Sequence, residues 1–332
     1  MRVSFLYILF FLLSIVQSLA QDPYLSQPYS SAQFLNTASV GGGVYDQRIN
    51  GNVRTQFIDN NKSYQTIFAG WDWRSGKSVY EGDNYLGLGI NVLSDQIMNG
   101  AINSNHVTFN VAYHMFVDED YKNNIALGLG ASYINTTVDR TKLIFADQYD
   151  YSANLVSATA EMFKNNASRF SMNVGLAFTR HTEDAFLETG GSLNFQSMPD
   201  LLTTTLNTRL SYKSSVYVNY ETKLYNQFTA SVHASYINRT NNSQILTGGS
   251  IGLPIATYED AEKRMYVGCY YRIGDAIIPS LRLLMNKNIL GFSYDIYNTD
   301  ITQARLRQNT FELSFSTSIG NRRNKLFRTI YD

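Results

Sequence analysis

The feature that most constrains this chain is a strict period of two, repeated along nearly its whole length. In "FTASVHASY" the residues Phe228, Ala230, Val232, Ala234 and Tyr236 alternate with Thr229, Ser231, His233 and Ser235. Side chains that alternate this way belong to a β-strand with one apolar and one polar face. Leu86, Leu88, Ile90 and Val92 stand against Gly87, Gly89 and Asn91, and Phe170, Met172, Val174, Leu176 and Phe178 against Ser171, Asn173, Gly175 and Ala177. Val107, Phe109, Val111, Tyr113, Met115 and Val117 oppose His106, Thr108, Asn110 and His114, and Phe311, Leu313 and Phe315 oppose Glu312, Ser314 and Ser316. These segments run for roughly nine to twelve residues, the length of a tilted membrane strand.

The second face decides which solvent lies where. A water-soluble sandwich turns Lys, Glu and Thr outward, whereas here the non-apolar face is Gly, Ser, Asn and His, the lining of a confined lumen. The apolar face would then meet lipid, with Tyr and Phe forming girdles at its edges. Composition agrees: only 16% of residues are charged, against about a quarter in soluble domains, while Tyr (24) and Phe (19) are abundant and Pro (5) is scarce. With 27 basic and 27 acidic residues the chain offers no positive field for nucleic acid.

Strands are expected near 46–57, 63–73, 83–93, 105–117, 122–135, 151–163, 168–179, 213–224, 227–237, 244–253, 264–272, 275–285, 289–297 and 308–319, about fourteen in all. Residues 185–212 hold two further segments, "AFLETGGSLNF" and "LLTTTLNTRLSY", that would raise the number to sixteen. Short turns are expected at Asp118–Tyr121, Lys164–Ser168, Tyr225–Gln227 and Asn286–Asn288, all on the side of both termini, and long connections at 94–105, 135–150, 180–211 and 298–309 on the other. That asymmetry is the pattern of bacterial outer-membrane barrels, with short periplasmic turns and long outer loops. The expected fold is all-β: an antiparallel transmembrane β-barrel, closed because the bilayer tolerates no unpaired strand edge, with an N-terminal plug or periplasmic segment.

The start, "MRVSFLYILFFLLSIVQSLA", has one Arg2, an apolar run and small residues Ser18 and Ala20, and reads as a signal peptide of residues 1–20. The residue directly after Ala20 is Gln21 and not Cys, so lipidation is not expected. Residues 21–45 lack alternation and hold Pro23 and Pro28, which suits a plug or contact segment. The barrel is expected over 46–320 and a polar periplasmic tail over 321–332.

Nothing points to catalysis, a metal or a cofactor. His106 and His114 share a face but lie about 27 Å apart along a strand, and no nucleophile motif accompanies the serines. The acidic runs "DEDY" and "YEDAEKR" lack the alternating ligands of a calcium loop. Cys269 is in phase with Met265, Val267 and Tyr271, as a small apolar strand residue.

The leader "QDPYLSQPYSSAQFLNTASVGG" resembles the opening of mature chains of the PorP/SprF family of type IX secretion outer-membrane proteins, through Gln21, Asp22, Pro23, Ser26, Gln27, Leu35, Asn36, Ala38 and Gly41. "GLGINVLSDQI", "VAYHMFVDEDYKNNIALGLGAS", "YRIGDAIIPSL" and "GFSYDIYNTDI" are similar to internal signatures of that family. Its two Asn-Pro steps stand here as Ser30-Ser31 and Asn36-Thr37. The resemblance implies a non-enzymatic barrel that serves secretion or surface anchoring of a partner protein, an adhesin-type C-terminal domain, and that contacts periplasmic ring components. The barrel would sit in outer-membrane lipid with both termini periplasmic. Tyr29, Phe34 and Leu35 of the leader and Arg305 and Arg307 of the last long loop are the candidate partner contacts. The alternative is a FadL-like uptake channel for small hydrophobic molecules, which a barrel with an N-terminal plug also fits.

Overall fold

The computed structural model describes residues 25–58, 62–75, 84–143, 148–150, 155–156, 165–198, 209–239, 242–258, 261–297 and 308–320. The expected signal peptide (1–20), the start of the leader (21–24), the tail (321–332), Arg305 and Arg307 lie outside them.

Fourteen antiparallel strands form one closed barrel. They are β1 (Gln47–Ile58), β2 (Lys62–Ser75), β3 (Tyr85–Ile97), β4 (Ile102–Phe116), β5 (Asn123–Val138), β6 (Asn166–His181) and β7 (Ala185–Met198). There follow β8 (Arg209–Lys223), β9 (Thr229–Arg239), β10 (Asn242–Tyr258), β11 (Ala261–Arg272), β12 (Ala276–Met285), β13 (Asn288–Tyr297) and β14 (Gln308–Ile319). Each strand pairs with its neighbours in sequence, and β1 closes the cylinder on β14 with Gly51 opposite Phe315.

The two faces of the wall invert the rule for a soluble core. Val232 is 52% exposed while its neighbours Ser231 and His233 are 3% and 1% exposed. Phe109, Leu129, Phe170 and Met172 all project outward, whereas Asn52, Asn110, Ser132, Glu221 and Glu312 are buried inside. An apolar belt outside and a hydrogen-bonded polar interior is what hydrocarbon on the outer surface requires. Among the described residues no helix is long and apolar enough to cross a membrane.

The expected number of strands holds, but two of the expectations behind it do not. Of the strand expected at 151–163 only Leu155–Val156 is described, and it pairs with Tyr149–Asp150 off the barrel, while β5 pairs directly with β6. Most of 151–163 lies outside the described residues. Conversely, the long loop expected at 180–211 holds β7, joined to β6 by residues 182–184 alone. The strand expected at 168–179 therefore runs in the opposite direction, and Lys164–Ser168 is not a turn but leads into β6 at the far end. β7 is the first of the two further segments noted in the sequence, "AFLETGGSLNF", with Gly190-Gly191 interrupting its apolar alternation, while the described end of the second, from Arg209, belongs to β8. The connection expected at 94–105 shrinks to residues 98–101, because β3 and β4 extend to Ile97 and Ile102.

The end where β1 begins and β14 finishes, here called the terminal end, has the close turns at 117–122, 182–184, 224–228 and 286–287. The opposite, loop end has the long connections 139–165, 199–208 and 298–307.

Candidate functional site

Residues 25–46 do not lie outside the cylinder; they thread its lumen as a plug. It is built of a 3-10 turn (Pro28–Ser31), one α-helical turn (Ala32–Leu35) and a second 3-10 turn (Thr37–Ser39). Pro28 at the first position of the first turn has no N–H to leave unbonded. Asn36 caps the last turn by accepting the Ala38 N–H at 2.9 Å.

The leading end of the plug is held in the loop-side half. Glu312 on β14, fully buried, accepts the backbone N–H groups of Ser26 (2.6 Å) and Gln27 (2.9 Å) and the Asn52 amide (2.7 Å). Ser26 Oγ donates to Asp295 (3.0 Å) and accepts from Arg272 (2.6 Å). Arg272 and Arg54 both pair with Asp295, at 3.0 and 3.3 Å, and Arg54 also reaches Glu312 at 3.8 Å. Arg272 also pairs with Asp275 at 2.9 Å, so the two guanidiniums are matched by carboxylates, which is the condition for burying them. Hydrogen bonds to such charged acceptors contribute about 1.5–3 kcal/mol each.

The trailing end is seated on Asp72 of β2, which accepts the Gly41 N–H (2.8 Å), the Gln33 amide (2.8 Å) and both Nε and Nη2 of Arg48. His114 Nε2 donates to the Val40 carbonyl at 2.8 Å, with Tyr85 stacked on its ring at 4.4 Å. Arg74 donates to the carbonyls of Gly41 and Gly43. Between the two ends, the Leu35 carbonyl accepts from Ser192 and Ser215, both at 2.8 Å. Asn36 Nδ2 donates to Leu176 O (3.0 Å) and to Tyr217 (3.2 Å), whose hydroxyl donates to Glu188 (2.8 Å).

The wall is cut to receive this backbone. A Cβ on Gly87 would lie under 3.0 Å from the Val40 carbonyl, and one on Gly128 equally close to the Ala38 amide. Side chains on β3 and β5 at these points would expel residues 36–41 from their track.

Of the candidate contacts, the structure brings Tyr29, Phe34 and Leu35 together inside the lumen. Tyr29 packs with Phe186, Tyr266, Leu284 and Ile289, donates to Gln27 Oε1 at 2.7 Å and lies 4.1 Å beneath the Arg282 guanidinium. Phe34 meets Phe68 edge-on at 6.3 Å and Lys213 Nζ at 4.1 Å. Sequence reasoning did not single out Glu312, Asp295 or Asp72, although inward Glu312, in a strand otherwise lined with Thr310, Ser314, Ser316 and Ser318, was a visible signal. The four histidines stay apart, on β4, β6 and β9. Among the described residues no three His, Cys, Asp or Glu side chains converge as metal ligands would. Cys269 lies on the lipid face.

Comparison with solved structures gives barrels. The toluene transporter TodX of Pseudomonas putida superposes with a TM-score of 0.52 at 7% identity, over 92% of this chain and 100% of that one. A TodX deletion mutant described as a monoaromatic hydrocarbon channel gives 0.52 at 10% identity, over 87% and 94%. At these identities the likeness speaks for the fold alone. No curated protein matches the chain. The family model described as "Type IX secretion system membrane protein PorP/SprF" matches residues 17–317. An outer-membrane barrel with this match has its place in secretion: the chain belongs to the PorP/SprF family of type IX secretion system membrane proteins.

Proposed function

We propose that the protein is a plugged, non-enzymatic docking body of the type IX machinery, serving secretion or surface retention of a partner protein of the adhesin type. The observation behind this reading is the built plug. A lumen crossed by a segment bonded to Glu312, Asp72 and Asn36's partners is a poor conduit, and recognition falls to the two rims.

In this reading the terminal end faces the periplasm and meets ring components through its close turns, after a signal peptide of residues 1–20 has directed export. The loop end faces outward and receives the partner's C-terminal domain on loops 139–165, 199–208 and 298–307, the last of which includes Arg305 and Arg307. Tyr29, Phe34 and Leu35 act on the partner only indirectly, by fixing the plug that closes the floor beneath those loops.

Deletion of the gene, followed by antibody labelling of the cognate adhesin on intact cells, tests the proposal. Loss of surface adhesin is expected, and unchanged display together with unchanged spreading overturns it. An uptake channel for small hydrophobic molecules is the second reading, supported by the barrel shared with TodX. It requires steady conductance in planar bilayers and slower growth on hydrophobic substrates without the protein.

A further inference from the structure

The plug runs the length of the lumen in one direction. Its trailing residues lie near the terminal end. His114, which donates to the Val40 carbonyl, is two residues from the end of β4, and Asp72, which accepts the Gly41 N–H, is three from the end of β2. Its leading residues lie at the opposite mouth. Ser26 Oγ meets Arg272, the last residue of β11, and Asp295, two residues short of the loop end of β13. Leu25 lines a recess with Ile237, two residues before the end of β9, and Gln244, the third residue of β10.

Residues 21–24 precede this point, and their reach limits where they can go. Four residues span at most about 14 Å fully extended, whereas the apolar band of such a wall is about 25 Å tall. The way back to the terminal end is also filled by the three turns of the plug. Two strand residues rise about 7 Å, so the same four residues clear the loop-side mouth from Ser26. The mouth is low on one side, where the β9–β10 and β11–β12 connections are only residues 240–241 and 273–275. On the other side stands loop 298–307, which joins β13 and β14, the strands whose Asp295 and Glu312 hold Ser26 and Gln27. That loop includes Arg305 and Arg307. The one other place within reach is the recess beside Leu25, which Phe34, Ile237 and Leu246 make apolar. Folding back into it would strip water from the Asp22 carboxylate, and burying an ion among apolar side chains is costly. Pro23 also disfavours a helical Asp22, which suits an extended exit.

We propose that residues 21–24 leave the barrel through the loop-side mouth and add the Asp22-Pro23-Tyr24 segment to the surface, beside loop 298–307, that receives the secreted partner. The N terminus left by cleavage after Ala20 then lies outside the cell and not, as expected, in the periplasm. This display rests on the secretion reading, in which the loop end faces outward.

Epitope insertion tests it on intact cells. One strain carries a short epitope between Asp22 and Pro23, which leaves the residues around the expected cleavage in place. Two others carry it within 199–208 and after Asp332. Antibody is expected to label the first two strains before permeabilisation and the third only after it. Asp22→Cys in a Cys269→Ser background, treated with a membrane-impermeant maleimide, repeats the readout without an insert. Tyr24→Ala should lower surface retention of the cognate adhesin at least about fivefold, the loss of one aromatic anchor. Heat-modifiable electrophoretic mobility verifies that each variant is a folded barrel. A silent epitope at Asp22 and an unlabelled Asp22→Cys, beside a bright 199–208 epitope, overturn the proposal and leave the secretion reading standing. The segment then folds back beside Leu25. Adhesin retention at the wild-type level in Tyr24→Ala overturns it as well, by removing the segment from the receiving surface. Labelling after Asp332 on intact cells with 199–208 silent reverses the barrel and strikes both the display and the secretion reading.

Discussion

The Glu312 carboxylate and the backbone N–H of Ser26, 286 residues apart in sequence, meet at 2.6 Å inside the barrel. One bond of this kind joins the beginning of the described chain to its last strand. The same carboxylate holds Gln27 and Asn52, so three donors converge on one buried acceptor.

Glu312→Ala leaves those donors unbonded and Arg54 short of a partner, a loss of about 3–5 kcal/mol at the plug's leading end. Hydrogen exchange followed by mass spectrometry on the intact barrel should show residues 25–35 losing protection while the strands β3–β6 keep theirs. Protection equal to the wild type would mean that this carboxylate does not hold the plug.

Gly128→Val drives a branched side chain into the Ala38 backbone, and Gly87→Val does the same at Val40. Either should unseat residues 36–41 and lower the temperature at which the barrel loses its compact electrophoretic form, a cost of at least about 2 kcal/mol. Gly51→Ala is the control, since its added Cβ would meet nothing nearer than 4.0 Å. Equal midpoints for Gly128→Val and Gly51→Ala would contradict the seat.

Unseating has an electrical readout as well. In planar bilayers the wild type is expected to pass little current, and the combined variant Glu312→Ala, Gly128→Val to show larger and noisier conductance. A wild type that already conducts steadily would remove the plug's role as a closure.

The two faces of the wall should answer a charge differently. Leu129 projects into lipid at 65% exposure, and Leu129→Arg should cost about 2–4 kcal/mol near the bilayer midplane. Thr55→Ala on the same face should be near neutral. Folding yields into liposomes compare them, and an unaffected Leu129→Arg would place that surface in water rather than hydrocarbon.

At the loop end, the Thr141 hydroxyl and then the Thr141 N–H hold the Asp139 carboxyl below the usual carboxylate range. A depressed folded value means that the cap's stabilisation is present above the ordinary carboxylate pKa and disappears as pH falls through the depressed one. Exchange rates of the 140–142 turn, each divided by the intrinsic amide rate at that pH, should therefore be flat from neutral pH downward and rise only in strongly acidic buffer. A rise already near neutral pH would assign the cap to another group.

Much of the cylinder was legible in the chain because a strand with lipid on one side and a wet lumen on the other must alternate. Phe109 against Asn110 and Val232 against His233 are such positions, readable without knowing any neighbour. β7 was legible only as an optional extra segment because Gly190 answers to a neighbour instead: an added Cβ would meet the Asn36 amide of the plug and the Leu176 carbonyl under 3.0 Å away. The expectation at 151–163 misled for the converse reason: local alternation says nothing about pairing, and β5 already pairs directly with β6.

The amino-acid sequence by itself determined the β class, the orientation of each correctly read strand's faces and the family signatures, since side-chain period and composition are local properties. Only the tertiary structure decided that residues 25–46 cross the lumen, that Glu312 and Asp72 hold them there and that glycines on β3 and β5 make room. Those relationships join positions far apart along the chain, and their energies arise from desolvation and close approach that exist only once the cylinder has closed.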